Sequence, residues 1–131
     1  MKLRNVLSRT VLLATWLALP LIVFSQTAQL TLKRGIYVLD SVPCKDAPFA
    51  ATTSWDGAAF VGMHSSRCTT RVLSQHGNQF DVSTTCAAFG DGTPDTSRYV
   101  EKLSLTRESA IHFVVHNRNN TDSPYRWCSA N

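Results

Sequence analysis

The sequence predicts an all-β protein: a single small antiparallel meander barrel or sandwich of about seven short strands, with two disulfides. Three observations predict it. The stretch Arg67–Cys86 is symmetric about Gly77, with Cys68 and Cys86 equally far from it. Short runs rich in β-branched and aromatic residues recur between clusters of Gly, Pro, Asn, Asp and Ser. Past the N-terminal apolar run, no stretch carries the spacing of an amphipathic helix.

The chain opens on MKLRNVLSRT, which carries Lys2, Arg4 and Arg9 and no acid. An apolar run from Val11 to Phe24 follows, then the small polar SQTAQ. Charged, apolar and small-residue regions in that order are the pattern of a secretory signal peptide. The run is short for a bilayer span, which needs about 20 apolar residues; an uncleaved anchor is the alternative. Residues 1–25 are expected to be removed after Ser25, with Ala28 as second choice, leaving residues 26–131 as one domain. The full chain has 13 basic and 9 acidic residues, a formal charge of +4. Removing the three basic residues of the leader leaves a near-neutral domain. The basic balance is therefore no nucleic-acid footprint, and no nucleic-acid partner is expected.

RGIYVLD reads as the first strand, with Ile36 and Val38 alternating against Tyr37 and Leu39. SVPCKDAPFA is irregular, with two prolines and Cys44. AATTSW is a short strand that ends at the turn WDG, and AAFVGM is another short apolar run.

The symmetric stretch is a hairpin. Folded about Gly77, it sets Ser74 opposite Phe80, Val72 opposite Val82, Thr70 opposite Thr84, and Cys68 opposite Cys86. One face carries Cys68, Thr70, Val72, Phe80, Val82 and Cys86. Arg71 lies diagonal to Asp81 on the other, within reach of an ion pair. A two-residue Gly77-Asn78 loop would slip the register and part the cysteines. Opposed Cα atoms lie about 4.5–5.5 Å apart, a span a disulfide bridges. Pairing Cys68 with Cys86 leaves Cys44 with Cys128 near the two ends of the domain. The other two connectivities stay open on spacing alone.

FGDGTPDTS reads as a loop. RYVEKLSLT and AIHFVVH form a second hairpin about Glu108, with Leu105 opposite Ile111 and Leu103 opposite Phe113. Lys102, Ser104, His112, Val114 and His116 then share the other face. NRNNTDSP is a polar loop, and its Asn119–Thr121 matches a glycosylation acceptor that matters only in a eukaryotic host. YRWC closes the chain as a terminal strand.

GIYV, PCKDAPFA, SWDG, GMHSSRC, VLSQHGN, GDG and the final YRWC together resemble a group of small exported proteobacterial β-rich proteins. That resemblance spans most of residues 26–131. It implies an extracytoplasmic β domain and brings no activity with it. The plan of leader, small β domain and disulfides is also similar to that of periplasmic lysozyme inhibitors, but no functional motif of theirs matches residue by residue.

Four cysteines in an exported small domain read as disulfides, not as a thiol site. Their gaps lack metal-ligand spacing, so no metal and no cofactor is expected. Two histidines and a lysine can move protons about a phosphodiester; His112, His116 and Lys102 are the catalytic candidates. A solvated face would show the same polar residues. His64 lacks the GxSxG context of a serine hydrolase. Asp91 and Asp95 fit an aspartate-stabilised turn better than a calcium loop. Trp55 and Phe60 are the binding candidates: exposed, they would anchor a partner; buried, they would close the barrel.

Export, disulfides and no assembled catalytic set favour a periplasmic or secreted binding protein over an enzyme. Its partner would be an envelope protein or glycan, and inhibition of a hydrolase is one form of such binding. The alternatives are a small secreted ribonuclease-like hydrolase and a structural accessory of an envelope assembly. No stable membrane insertion is expected once the leader is gone.

Overall fold

Strands with one apolar face must bury that face, and a small all-β chain does so by curling its sheet. The computed structural model, which describes residues 29–62 and 64–130, shows this solution. Eight strands follow in chain order: β1 Gly35–Leu39, β2 Thr52–Trp55, β3 Phe60–Val61, β4 Ser65–His76, β5 Gln79–Phe89, β6 Pro94–Ser109, β7 His112–His116 and β8 Asp122–Ser129. A single turn of 3-10 helix, Phe49–Ala51, precedes β2. All pairings are antiparallel, in the order β3-β2-β1-β8-β7-β6-β5-β4. The expected leader, residues 1–25, lies outside the described residues. Among the described residues, no helix is long and apolar enough to cross a membrane.

The two edge strands, β3 and β4, meet at a seam and nearly close the barrel. The Phe60 amide donates to the Thr70 hydroxyl at 2.9 Å. The Thr70 amide donates to the Ala58 carbonyl at 3.3 Å. The eighth strand beyond the expected seven is β3, too short to announce itself by alternation.

Inward-facing Tyr37, Phe80, Val82, Leu105 and Phe113 form the core, each at most 2% exposed. Burying side chains of this size contributes about 1.5–3 kcal/mol each. Phe113 lies at its centre, with ring centroids 5.2 Å from Tyr37, 5.5 Å from Phe60 and 5.2 Å from Tyr125. Leu30 and Leu32, just before β1, join the same buried cluster. The Lys33 amide holds that segment to the Ala110 carbonyl at 2.7 Å. These leucines stop the barrel end that carries the Gly77 and Ala110 turns.

Both disulfides form as expected, and the described residues include no free cysteine. Cys68–Cys86 bridges opposed residues of β4 and β5. Cys44–Cys128 ties the loop after β1 to β8, its partner in the sheet. Disulfides form and persist mainly in oxidising environments.

The first hairpin combines both registers considered from sequence. Its turn is the two-residue Gly77-Asn78, with Gly77 at φ +62° and His76 opposite Gln79. Glycine at the first central position suits the tight turn that matches strand twist. Ser74 therefore faces Asp81, and Phe80 faces Gln75 instead of Ser74. A bulge at Leu73 then absorbs one residue, and Val72–Val82, Thr70–Thr84 and Cys68–Cys86 pair as expected. Arg71 faces Ser83, while the Asp81 carboxylate accepts from the Ser74 hydroxyl at 2.6 Å. The expected Arg71–Asp81 ion pair is not formed; the bulge brings Ser74 opposite Asp81, and the Ser74 hydroxyl takes the carboxylate instead.

The second hairpin turns at Ala110-Ile111, not about Glu108. Leu105 now faces Val115 and Ser104 faces His116. The even offset keeps Leu103, Leu105 and Phe113 on their expected inner face, whereas Ile111, expected opposite Leu105, sits in the turn and is 50% exposed. The segment read as a loop before Arg98 is partly strand. β6 begins at Pro94, and the first residue of a strand is a position proline tolerates.

Candidate functional site

Eight strands enclose a space that side chains can fill or that can hold one small ligand. Here the closed end is filled and the other end is not. Inner positions near the Phe89–Pro94 turn carry Thr84, Cys86 and Ala88, where the closed end carries Phe80, Val82 and Leu105. Small side chains leave a cavity of about 490 Å³ open to solvent. That volume lies within the range of small-molecule sites, about 300–1,000 Å³.

Its walls are apolar. Phe60, Leu103, Phe113 and Val115 form the floor. Tyr125 lies against Phe113 with the rings inclined by only 13°. Phe89 and Tyr99 stand at the rim, 50% and 57% exposed. Exposed aromatics at the mouth of an apolar space are available to a ligand.

One carboxylate faces into this space. Glu101 of β6 pairs with Thr84 of β5, and opposed residues share a face. Thr84 is 4% exposed and points inward, so Glu101 does too. Glu101 lies on the solvent-accessible side of the cavity. Among the described residues it takes part in no ion pair. The Tyr125 phenol is held above its ordinary value, first by burial and second by the negative charge of Glu101. Asp95 adds a second carboxylate at the rim. Its oxygen accepts from the Ser97 amide at 2.9 Å and the Ser97 hydroxyl at 2.6 Å. Those two bonds stabilise the charged form and lower its pKa, the hydroxyl contributing most.

Trp55 and Phe60 do not offer an exposed anchor. They are 5% and 6% exposed, and their ring centroids lie 4.9 Å apart with the planes tilted by 53°. Trp55 belongs to the core. Phe60 reaches the cavity from within as part of its floor. The Asp56 carboxylate receives the Ala58 and Ala59 amides and holds the turn that follows.

The histidines lie on the outer face of β7, four residues apart. At about 3.3 Å per residue, that separates them by about 13 Å, too far to act on one phosphodiester. Each has its own partners. His112 contacts Asp40 at 2.8 Å and Glu108 at 2.9 Å. His116 contacts Asp122 at 2.9 Å and Thr106 at 2.8 Å. Lys102 sits beyond the reach of β7, opposite Ser83 of β5. It borders a shallow outer groove with His116 and Arg118, on the far side of the sheet from the cavity. His64 lies at the rim of the cavity. The Asp91 carboxylate accepts from the Thr93 amide and hydroxyl, an aspartate-stabilised turn. Among the described residues, no group of three or more His, Cys, Asp or Glu is gathered as for a metal.

The cavity has no single motif in the sequence. Its one readable signal is the even spacing of Thr84, Cys86 and Ala88, small residues where β5 elsewhere turns bulky ones inward. No family model, no curated protein and no solved structure matches this chain.

Proposed function

We propose that this chain is an extracytoplasmic binding protein, acting in the periplasm or the medium, whose ligand sits in the open mouth of the barrel. One observation carries the reading. A disulfide-stapled barrel leaves a cavity of about 490 Å³ at one end, with aromatic walls, an exposed aromatic rim and an inward carboxylate. Evenly packed interiors favour stability, so an open apolar space fits a role that uses it. Inhibition of an envelope hydrolase falls within this reading as the case where the captured group belongs to an enzyme. A ribonuclease-like role for His112 and His116 draws no support from two imidazoles about 13 Å apart.

Filling the mouth tests the proposal. Leu103 is half-buried and lines the cavity. Leu103→Trp should abolish binding of a small aromatic probe such as naphthalene while the far-UV circular dichroism stays that of the parent. Tyr99→Ala, at the exposed rim, should weaken the probe without affecting the core. Unchanged naphthalene binding in both variants would overturn the assignment.

A further inference from the structure

We infer that the mouth of the barrel selects organic cations: a small molecule with an aromatic or branched apolar body and one ammonium or amidinium group. This rests on the proposed binding role and adds the chemistry of the ligand.

The carboxylates that line the cavity are Glu101 and Asp95; His64 is the imidazole at its rim, and neither lysine nor arginine lines it. Glu101 projects from the strand position opposite the buried Thr84, between the inward-facing Tyr99 and Leu103. Glu101 stands exposed at the open side of the cavity, where a cationic partner would form a charge-assisted pair with it. Among the described residues no lysine, arginine or histidine supplies that partner. Lys102, the next residue, points to the outer face.

The aromatic surfaces add to the charge. Tyr99 and Phe89 flank the opening, and the Tyr125–Phe113 stack lies below it. Ring faces attract cations. The same chain already makes such a contact elsewhere, with the Lys33 ammonium 3.4 Å from the centroid of the Trp127 ring. A bound ammonium between Glu101 and the rim aromatics would meet a carboxylate and π faces together. An anionic ligand of the same shape would meet two like charges and no lysine or arginine to offset them.

Three probes with one indole body separate the terms: tryptamine, which is cationic, neutral tryptophol, and anionic indole-3-acetate. Binding of each to the exported, oxidised protein is measured by isothermal titration at pH 8 and low salt. Tryptamine should bind about two- to fivefold tighter than tryptophol, the scale of one partly exposed charge pair. Indole-3-acetate should bind weakest. Glu101→Gln should remove the tryptamine advantage and leave tryptophol unchanged. Raising the salt should narrow the gap between the two. Equal binding of all three probes, with Glu101→Gln silent, would overturn the cation preference and leave the cavity as a ligand site. Binding of none would overturn both.

Discussion

The hydroxyls of Thr70 and Thr84 lie 2.7 Å apart across the β4–β5 pair, and the Thr70 hydroxyl also accepts the Phe60 amide. One threonine thus links the inner face of the long hairpin to the seam where the barrel closes. Thr70→Val keeps the shape and removes both links. It should cost about 1–3 kcal/mol, the range for orphaning buried partners. Urea unfolding would show the lower midpoint, and hydrogen exchange should quicken at the Phe60 amide while the Val82 amide stays slow.

The two disulfides should not be equal in stability. Cys44–Cys128 closes a sequence separation of 84 residues and Cys68–Cys86 one of 18. The chain-entropy model gives about 4–5 kcal/mol for the first and about 3 kcal/mol for the second. Alanine pairs at each bridge, compared by denaturant titration, should rank in that order. A larger loss from the hairpin bridge would show that strain or residual structure outweighs loop length.

Gly35 begins β1 at φ +140°, tight against β8. A β-carbon there would clash with the Ser129 carbonyl and the Trp127 indole nitrogen. Gly35→Ala therefore meets both an unfavourable backbone angle and a blocked space. It should lower stability by about 2 kcal/mol or more. The loss should appear with broadened signals from Trp127, whose indole N–H donates to the Arg34 carbonyl at 3.0 Å.

Tyr37 gives the fold an alkaline limit. Its hydroxyl donates to the Lys33 carbonyl at 2.7 Å and the Ala110 carbonyl at 3.1 Å. Burial raises its pKa above the ordinary 10.0. Above that pH the unfolded chain sheds the phenolic proton first, so the folded state binds more protons and stability falls as pH rises. The contribution is complete below pH 10 and is lost as pH climbs through the folded value. Tyr125 acts in the same direction. Tyr37→Phe should cost about 1 kcal/mol at neutral pH and flatten the decline above pH 10, measured by thermal melts across pH 8–11.

Much of the fold was legible in strand alternation, because alternation fixes faces whatever the turn does. Cys68 and Cys86, Val72 and Val82, and Leu105 and Phe113 all fall on the face their spacing predicts. Turns and bulges were less legible, since a one-residue bulge at Leu73 is set by twist and by the preference of Gly77, not by pattern. Trp55 shows a different limit. Its place before Asp56-Gly57 marks a turn, but only the packed barrel puts its ring on Phe60. The cavity was the least legible. Thr84, Cys86 and Ala88 alternate correctly, yet whether small residues are met by large ones depends on which strands close opposite them. Glu101 has the inward parity of Leu103 and Leu105, but a glutamate near a strand end reads as solvated until its partner Thr84 is seen to be buried.

The pairing of β1 with β8 also has a consequence for how the protein is made. A chain emerging from the N-terminus forward presents Cys44 long before Cys128, with Cys68 and Cys86 appearing in between. Until β8 arrives, β1 has only β2 beside it, and Cys44 meets a free thiol at Cys68 first. Oxidation in order of appearance would join Cys44 to Cys68 and trap the barrel open. Thiol–disulfide exchange must then undo that link. The yield of native barrel in vivo should therefore depend on an isomerase, and much less so for a variant lacking Cys44 and Cys128.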